Sequence, residues 1–189
     1  MNVEHVWSTA ILRGVVEDQQ FLDQLLQHIL QDPDATASDA ADKTRDKIDI
    51  ALANNDPLFI AARKHVSQHV DAYFKHAYGL ERVPYKLEMF YLLHTQGRHV
   101  KYHNHKGSTL TGVLYINVPS GDLVLLDPRV NANRHVIKQV LDTGHFDSVD
   151  IKPKQGEIVV FPSYVYHLGM PNSSPLPRIV FVFDVMPEE

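Results

Sequence analysis

From Val83 onward the apolar residues of this chain recur with period 2 rather than 3.6, and they do so almost to the end. A period of 2 marks strands whose side chains alternate between two faces. Turn signals arrive about every 8–12 residues, the spacing of an all-β domain. Ser120-Gly121, Asp127-Pro128, Gly144 and Gln155-Gly156 are the clearest of them. The pattern predicts strands near 84–93, 98–104, 109–118, 122–127, 134–141, 147–152, 156–161 and 177–186. No helical crossover is read between them, so the strands are expected to run antiparallel in a sandwich or jelly roll.

The residues before Val83 read differently. Residues 3–16 form an opening strand or arm, with Val6-Trp7 and Ala10-Ile11-Leu12, broken at Gly14. Phe21, Leu22, Leu25, Leu26, Ile29 and Leu30 make one apolar stripe of a helix over about residues 17–31, which Asp32-Pro33-Asp34 ends. Residues 33–46 are polar and aperiodic, a loop, with a short helical turn near Ile48 to Leu52. A second helix is well marked. Asp56 is an N-cap, Pro57 takes the first helical position, and Gly79 is the stop. Its stripe is Leu58, Phe59, Ala62, Val66, Val70, Tyr73 and Phe74. The expectation is mainly β: one domain over 1–189, in which an arm and two helices (1–82) pack outside a β core (83–186).

Composition narrows the function. The 189 residues suffice for one real core. With a net charge of −5, the chain lacks the basic balance that phosphate backbones require, so no nucleic-acid partner is expected. The absence of cysteine rules out disulfides, thiolate metal sites and Cys nucleophiles. No apolar run approaches the roughly 20 residues of a membrane span, and the first residues lack the basic and apolar regions of a signal peptide. A cytoplasmic protein without a membrane partner is the expectation. The N-terminal helix pair offers surface for a homodimer.

Twelve histidines turn attention to metals. His103 and His105 stand two apart in a strand pattern, so both side chains face one way. A lone His167 follows Val159-Val160-Phe161-Pro162, and Arg178 opens a last apolar run, Ile179-Val180-Phe181-Val182-Phe183. Three ligands on one face, with other positions free, suit an iron that binds both a substrate and O₂. An arginine pointing into a barrel is costly unless paired, and a dicarboxylate is a natural bidentate partner. The plainer alternatives are two exposed strand histidines, a hydrogen-bonded loop histidine and a rim arginine with its head in water. His65 and His69 form an i, i+4 pair in the second helix, but no third ligand is near in sequence, and a solvated helix face is the simpler reading.

Taken in order, Gly97, His103-Asn104-His105, Thr111-Gly112-Val113-Leu114-Tyr115-Ile116, Gly121-Asp122-Leu123, Asp127-Pro128-Arg129, Gly156-Glu157-Ile158-Val159-Val160-Phe161-Pro162-Ser163, His167 and Arg178 resemble the Fe(II)/2-oxoglutarate-dependent oxygenases. The likeness is strongest to a bacterial and phage branch with a His-x-His motif, and more distant to the prolyl hydroxylases. It covers residues 83–186. It implies a double-stranded β-helix of the jelly-roll, cupin-like kind holding one Fe(II), with 2-oxoglutarate and O₂ as co-substrates. His103 matches the first metal ligand and His167 the distal one. Arg178 matches the residue that binds the far carboxylate of 2-oxoglutarate, and Tyr115 a position whose hydroxyl assists it. Asp127 and Arg129 match a stretch of this branch that serves either as a structural turn or as a substrate contact.

One residue departs from the pattern. Most of these oxygenases have a carboxylate where this chain has His105. A neutral imidazole leaves the site one unit more positive, which favours a dianionic co-substrate and equally fits the three-histidine cupin enzymes that do without 2-oxoglutarate. Alternatively water or an acid such as Asp122 takes the place of His105. The resemblance implies a dioxygenase that hydroxylates a small-molecule or peptidyl substrate while 2-oxoglutarate is converted to succinate and CO₂. The rivals are a cupin-type dioxygenase or isomerase, and a metal-free jelly-roll binding module. His99, Lys101, Tyr102 and the loop after Asp127 are candidates for lining the mouth.

Overall fold

A computed structural model describes residues 8–32, 55–129, 137–142 and 147–188. The expected features at Val6-Trp7, in the loop over 33–46 and near Ile48 to Leu52 lie outside the described residues. The described residues form nine strands and three helices in the order β1 (Leu12–Val15), α1 (Gln19–Gln31), α2 (Pro57–Tyr78), β2 (Tyr85–His94), β3 (Val100–His103), β4 (Leu110–Asn117), β5 (Leu123–Leu126), α3 (Lys138–Leu141), β6 (Ser148–Ile151), β7 (Glu157–Pro162), β8 (His167–Gly169) and β9 (Arg178–Pro187). They form a five-stranded sheet, β1-β7-β4-β9-β2, and a four-stranded sheet, β3-β8-β5-β6. Every pairing is antiparallel. This is the jelly roll that the period-2 pattern leads one to expect, with the two long helices outside one sheet.

Alternation along the large sheet divides two cores. Leu110, Leu114 and Ile116 of β4, Ile158 and Val160 of β7, and Ile179, Phe181, Phe183 and Val185 of β9 face the helices. There they meet Phe21, Leu22, Leu25 and Ile29 of α1 and Phe59, Ala62, Val66, Val70 and Tyr73 of α2. The residues between them, Val113, Tyr115, Val159, Phe161, Val180 and Val182, face the small sheet, where Leu123, Leu125 and Ile151 wait. Strands β4, β7 and β9 are therefore buried on both faces, which is why they read as continuous apolar runs. Gly112 sits where β4 passes under Phe183, and any side chain there would run into that ring and into the Val159 carbonyl.

The helix ends are where the sequence puts them. Asp18 caps α1, its side chain accepting from Phe21 N at 2.9 Å. Asp56 caps α2 through Leu58 N, and Gly79 closes it in the left-handed conformation at φ 69°. No described helix is long and apolar enough to cross a membrane.

Three elements differ from expectation. Strand β1 runs through Gly14 rather than breaking there. A side chain at Gly14 would collide with the His69 ring, so this glycine admits α2 against β1 instead of ending the strand. The expected strand over 134–141 is in its described part a helical turn, Lys138–Leu141, braced by a Lys138–Asp142 pair at 3.2 Å. Ile137, Val140 and Leu141 fit helical spacing as well as they fit a strand, and their branched side chains mislead. Finally, β8 is only three residues long, too short to show any period.

Candidate metal centre

His103 and His167 are direct partners across β3 and β8, so their side chains share the face that looks into the sandwich. His105 reaches them by another route. Strand β3 ends at His103, and the following turn is pinned to the end of β7. His105 N donates to the Ser163 carbonyl at 3.1 Å, and the Ser163 hydroxyl donates to the Ser108 carbonyl. Pro162-Ser163 thus fixes the second histidine, which strand alternation alone would have placed only approximately.

One ring nitrogen from each of the three histidines lies within 4.8 Å of the others. The opposite nitrogens each face an oxygen. His103 Nδ1 donates to the Lys101 carbonyl at 2.6 Å, His167 Nδ1 to the Val165 carbonyl at 3.0 Å, and His105 Nδ1 lies 2.7 Å from Asp184 Oδ1. The two carbonyl acceptors fix His103 and His167 with the proton on Nδ1 and leave Nε2 as a lone pair, whereas Asp184 Oδ1, buried beside His105 Nδ1, makes no hydrogen bond. Burial holds His103 below the usual imidazole range and takes His167 down to about 4. Both are neutral near pH 7, the form in which imidazole binds metal. His103 Nε2 and His105 Nε2 face each other at 3.1 Å, a hydrogen bond when His105 carries its proton on Nε2. Metal–imidazole bonds run about 2.1 Å, so two ligands at right angles stand roughly 3 Å apart. The donor set fits a divalent ion.

From this cluster a cavity of about 90 Å³ runs between the sheets to Arg178. Leu92, Val100, Val113, Leu123 and Val180 form its apolar walls. Arg178 is only 3% exposed. Its Nη1 donates to the Met170 carbonyl at 2.7 Å, and Nη2 lies 3.5 Å from His94 Nδ1. Among the described residues it has no carboxylate partner. Burial pulls its guanidinium below its ordinary value, with the Tyr115 phenol opposing, yet an arginine stays charged in proteins. A buried, uncompensated cation at the end of an apolar cavity calls for an anion. Two glycines leave it room: a side chain at Gly121 (φ 94°) would strike Nη1, and one at Gly169 would press on Nη2 at 3.3 Å. Gly169 stands two residues from His167 on the same face of β8, about 7 Å along the strand. A five-carbon dicarboxylate covers that span.

Tyr115, on β4, lines the same cavity, and burial pushes its phenol well above the usual range. Its hydroxyl has no hydrogen-bond partner among the described residues. Asp122 lines the cavity as well but stands outside the metal-binding group. Asp127 and Arg129 satisfy one another, Arg129 Nε to Oδ1 at 2.9 Å and Nη2 to Oδ2 at 2.6 Å, and neither lines the cavity. His99, Lys101 and Tyr102 are not on the cavity wall either; Tyr102 stacks on Tyr166 with ring centroids 4.6 Å apart. His65 packs on Phe21 and His69 Nδ1 donates to the His65 carbonyl, and among the described residues that pair joins no metal-binding group.

Three residues of the site went unnoticed in the sequence. Asp184 stands behind His105. His94 is the cross-strand partner of Arg178, and burial together with that guanidinium takes it down to about 4. Fully buried Asn172 ties the floor together: its Nδ2 donates to the His94 and Leu176 carbonyls at 3.0 and 2.8 Å, and its Oδ1 accepts from the Ser120 hydroxyl at 2.7 Å. The even phase of β9, which carries Arg178 inward, also carries Asp184, and that was the available signal. Nothing local marked His94 or Asn172.

A family described as "Putative 2OG-Fe(II) oxygenase" matches residues 88–184, slightly more than half of the chain. No curated protein matches. Among solved structures, a Pseudomonas putida prolyl-4-hydroxylase is 15% identical, covering 96% of this chain and 90% of its own, at a TM-score of 0.59. HygX from Streptomyces hygroscopicus, solved with nickel and 2-oxoglutarate bound, is 13% identical over 95% and 82%, at 0.60. The α-ketoglutarate-dependent epimerase SnoN of nogalamycin biosynthesis is 14% identical over 95% and 79%, at 0.62. At these identities the structures speak for the fold.

Proposed function

The chain belongs to the 2OG-Fe(II) oxygenase family, and on that premise we propose that it hydroxylates a small-molecule or peptidyl substrate, holding Fe(II) on His103, His105 and His167 and 2-oxoglutarate on Arg178 and Tyr115. One observation supports this above the rest. A single cavity joins three converging imidazole nitrogens to a buried guanidinium.

Bound iron supplies the centre at which 2-oxoglutarate and O₂ react, giving succinate and CO₂ and the oxidising power for a substrate C–H bond. The chain's own residues prepare that reaction. The Lys101 and Val165 carbonyls hold the His103 and His167 lone pairs toward one point, so little reorganisation of these two ligands is needed when metal binds. Arg178 fixes the far carboxylate through charge-assisted hydrogen bonds, and the Tyr115 hydroxyl donates to the same group. Neutral His94 accepts from Arg178 Nη2 and keeps the guanidinium fork from rotating. The walls of Leu92, Val113, Leu123 and Val180 exclude water, which strengthens each of these contacts.

The experiment is Arg178→Ala, followed by calorimetry of metal and 2-oxoglutarate separately. The expected result is 2-oxoglutarate affinity weakened by roughly 100-fold or more, as for loss of one partner of a buried charge pair, with metal affinity nearly unchanged. Equal loss of both contradicts the assignment. Metal binding with no 2-oxoglutarate binding in the unaltered protein favours the three-histidine cupin reading instead.

A further inference from the structure

The three histidines are not held alike. His103 and His167 each give their Nδ1 proton to a backbone carbonyl, whereas His105 Nδ1 stands 2.7 Å from a carboxylate oxygen, Asp184 Oδ1, that is buried and makes no hydrogen bond. The pair is well enclosed, with side chains 12% and 15% exposed. Asp184 owes its position to the register of β9. Arg178, Val180, Val182 and Asp184 occupy the inward phase of that strand, and Asp184 pairs across to Thr111 of β4. A carboxylate in that phase is costly unless something in the cavity uses it. Three neutral imidazoles also leave a divalent ion with its full charge, a poor arrangement inside an apolar sandwich.

We infer that Asp184 is a positioning residue that makes His105 the anionic arm of the metal site. With a metal on Nε2 the His105 proton is confined to Nδ1, where the carboxylate 2.7 Å away accepts it, raising electron density at Nε2, fixing the ring plane and adding one negative charge beside the ligand. Asp184 does not itself ligate. The inference rests on the three-histidine metal centre proposed above and goes beyond it, since the charge that balances the ion is placed on a residue outside the ligand set. Outer partners of this type are worth about 10–100-fold in metal affinity.

The test compares wild type, Asp184→Asn, Asp184→Glu and His105→Ala, each full length. Zn(II) and Co(II) are titrated calorimetrically into metal-free protein at one pH. The ¹⁵N spectrum of the Zn-loaded wild type gives the His105 Nδ1 proton. The expected results are a 10–100-fold weaker metal affinity in Asp184→Asn with stoichiometry kept, partial rescue in Asp184→Glu, a larger loss in His105→Ala, and a strongly downfield, slowly exchanging Nδ1 proton on His105. Wild-type affinity in folded Asp184→Asn overturns the inference while leaving the metal centre intact. Near-wild-type affinity in His105→Ala overturns it as well, by making Asp184 the ligand. If Asp184→Asn does not fold, the wild-type resonance decides alone: its absence, or rapid exchange with water, overturns the proposal. Failure of the wild type to bind either metal removes the three-histidine centre itself, and the inference with it.

Discussion

The two sheets of this protein do different work. The five-stranded sheet has two strands of ten residues and central strands buried on both faces. The four-stranded sheet has strands of three or four residues, with an irregular register between Val100 and His103. The long sheet, braced by α1 and α2, is the mechanical frame. The short sheet brings His103 and His167 to that frame. Arg178, Tyr115 and Asp184, by contrast, stand on the frame itself. The Arg178 end of the cavity is thus built on the long sheet, and the histidine end is assembled where the two sheets meet. Such a division puts stability on the frame, while the cavity draws its residues from both sheets.

The sharpest way to break this comparison is to damage the frame. Phe181 is fully buried and meets Phe59 and Tyr91 with ring centroids 5.8 and 5.9 Å away. Phe181→Ala should cost about 3–5 kcal/mol of unfolding free energy, the usual range for a buried ring, while metal affinity measured well below the transition stays close to wild type. Urea titration and calorimetry check the two halves. A collapse of metal binding in the folded variant would show that frame and site are not separable.

A second effect concerns both ends of the cavity. His94 and His167 are taken down to about 4 from 6.5, chiefly by burial. A group whose pKa is depressed in the folded state resists protonation there but takes a proton on unfolding. The metal-free protein should therefore hold its full stability above about pH 6.5 and lose it as the pH falls toward 4. The slope approaches about 1.4 kcal/mol per pH unit for each group. Urea midpoints at pH 7.5, 6 and 5 measure this, and His94→Gln should flatten the slope without removing it. A midpoint independent of pH would mean that neither imidazole is held neutral by the fold.

The smallest effect is expected on the outside of the short sheet. Tyr102 and Tyr166 stack with planes 12° apart, and both are largely exposed. Tyr102→Ala should cost about 0.5–1.5 kcal/mol beyond the lost burial, far below Phe181→Ala. A thermal shift comparable to that of the Phe181 variant would reverse the ranking of the two sheets.

This same division explains what could be read from the sequence. Apolar alternation over ten residues of β2 and β9, and the Asp–Pro and Gly punctuation of α2, depend only on neighbours along the chain, so the frame was legible. His103 and His105 were legible as a pair because they lie two residues apart, and His167 and Arg178 emerged through their order and spacing in a family pattern. Which strand lies beside which is a property of distant segments. Thus His94, opposite Arg178 in the register of β2 and β9, gave no local sign. Asp184 did give one, as a lone carboxylate in the phase of Arg178, but an acid in an apolar strand has meaning only once its neighbour across the sandwich is known. The turn over 138–141 was misread because branched residues at 137 and 140 satisfy either period.

The central claim is that one cavity holds an iron at the histidines and 2-oxoglutarate against Arg178. The most direct measurement is the visible absorption spectrum of metal-free protein under anaerobic conditions, with Fe(II) added first and 2-oxoglutarate second. The account predicts a charge-transfer band that appears only after both additions and is absent in His167→Ala. Stoichiometric iron binding with no such band in the wild type would contradict it.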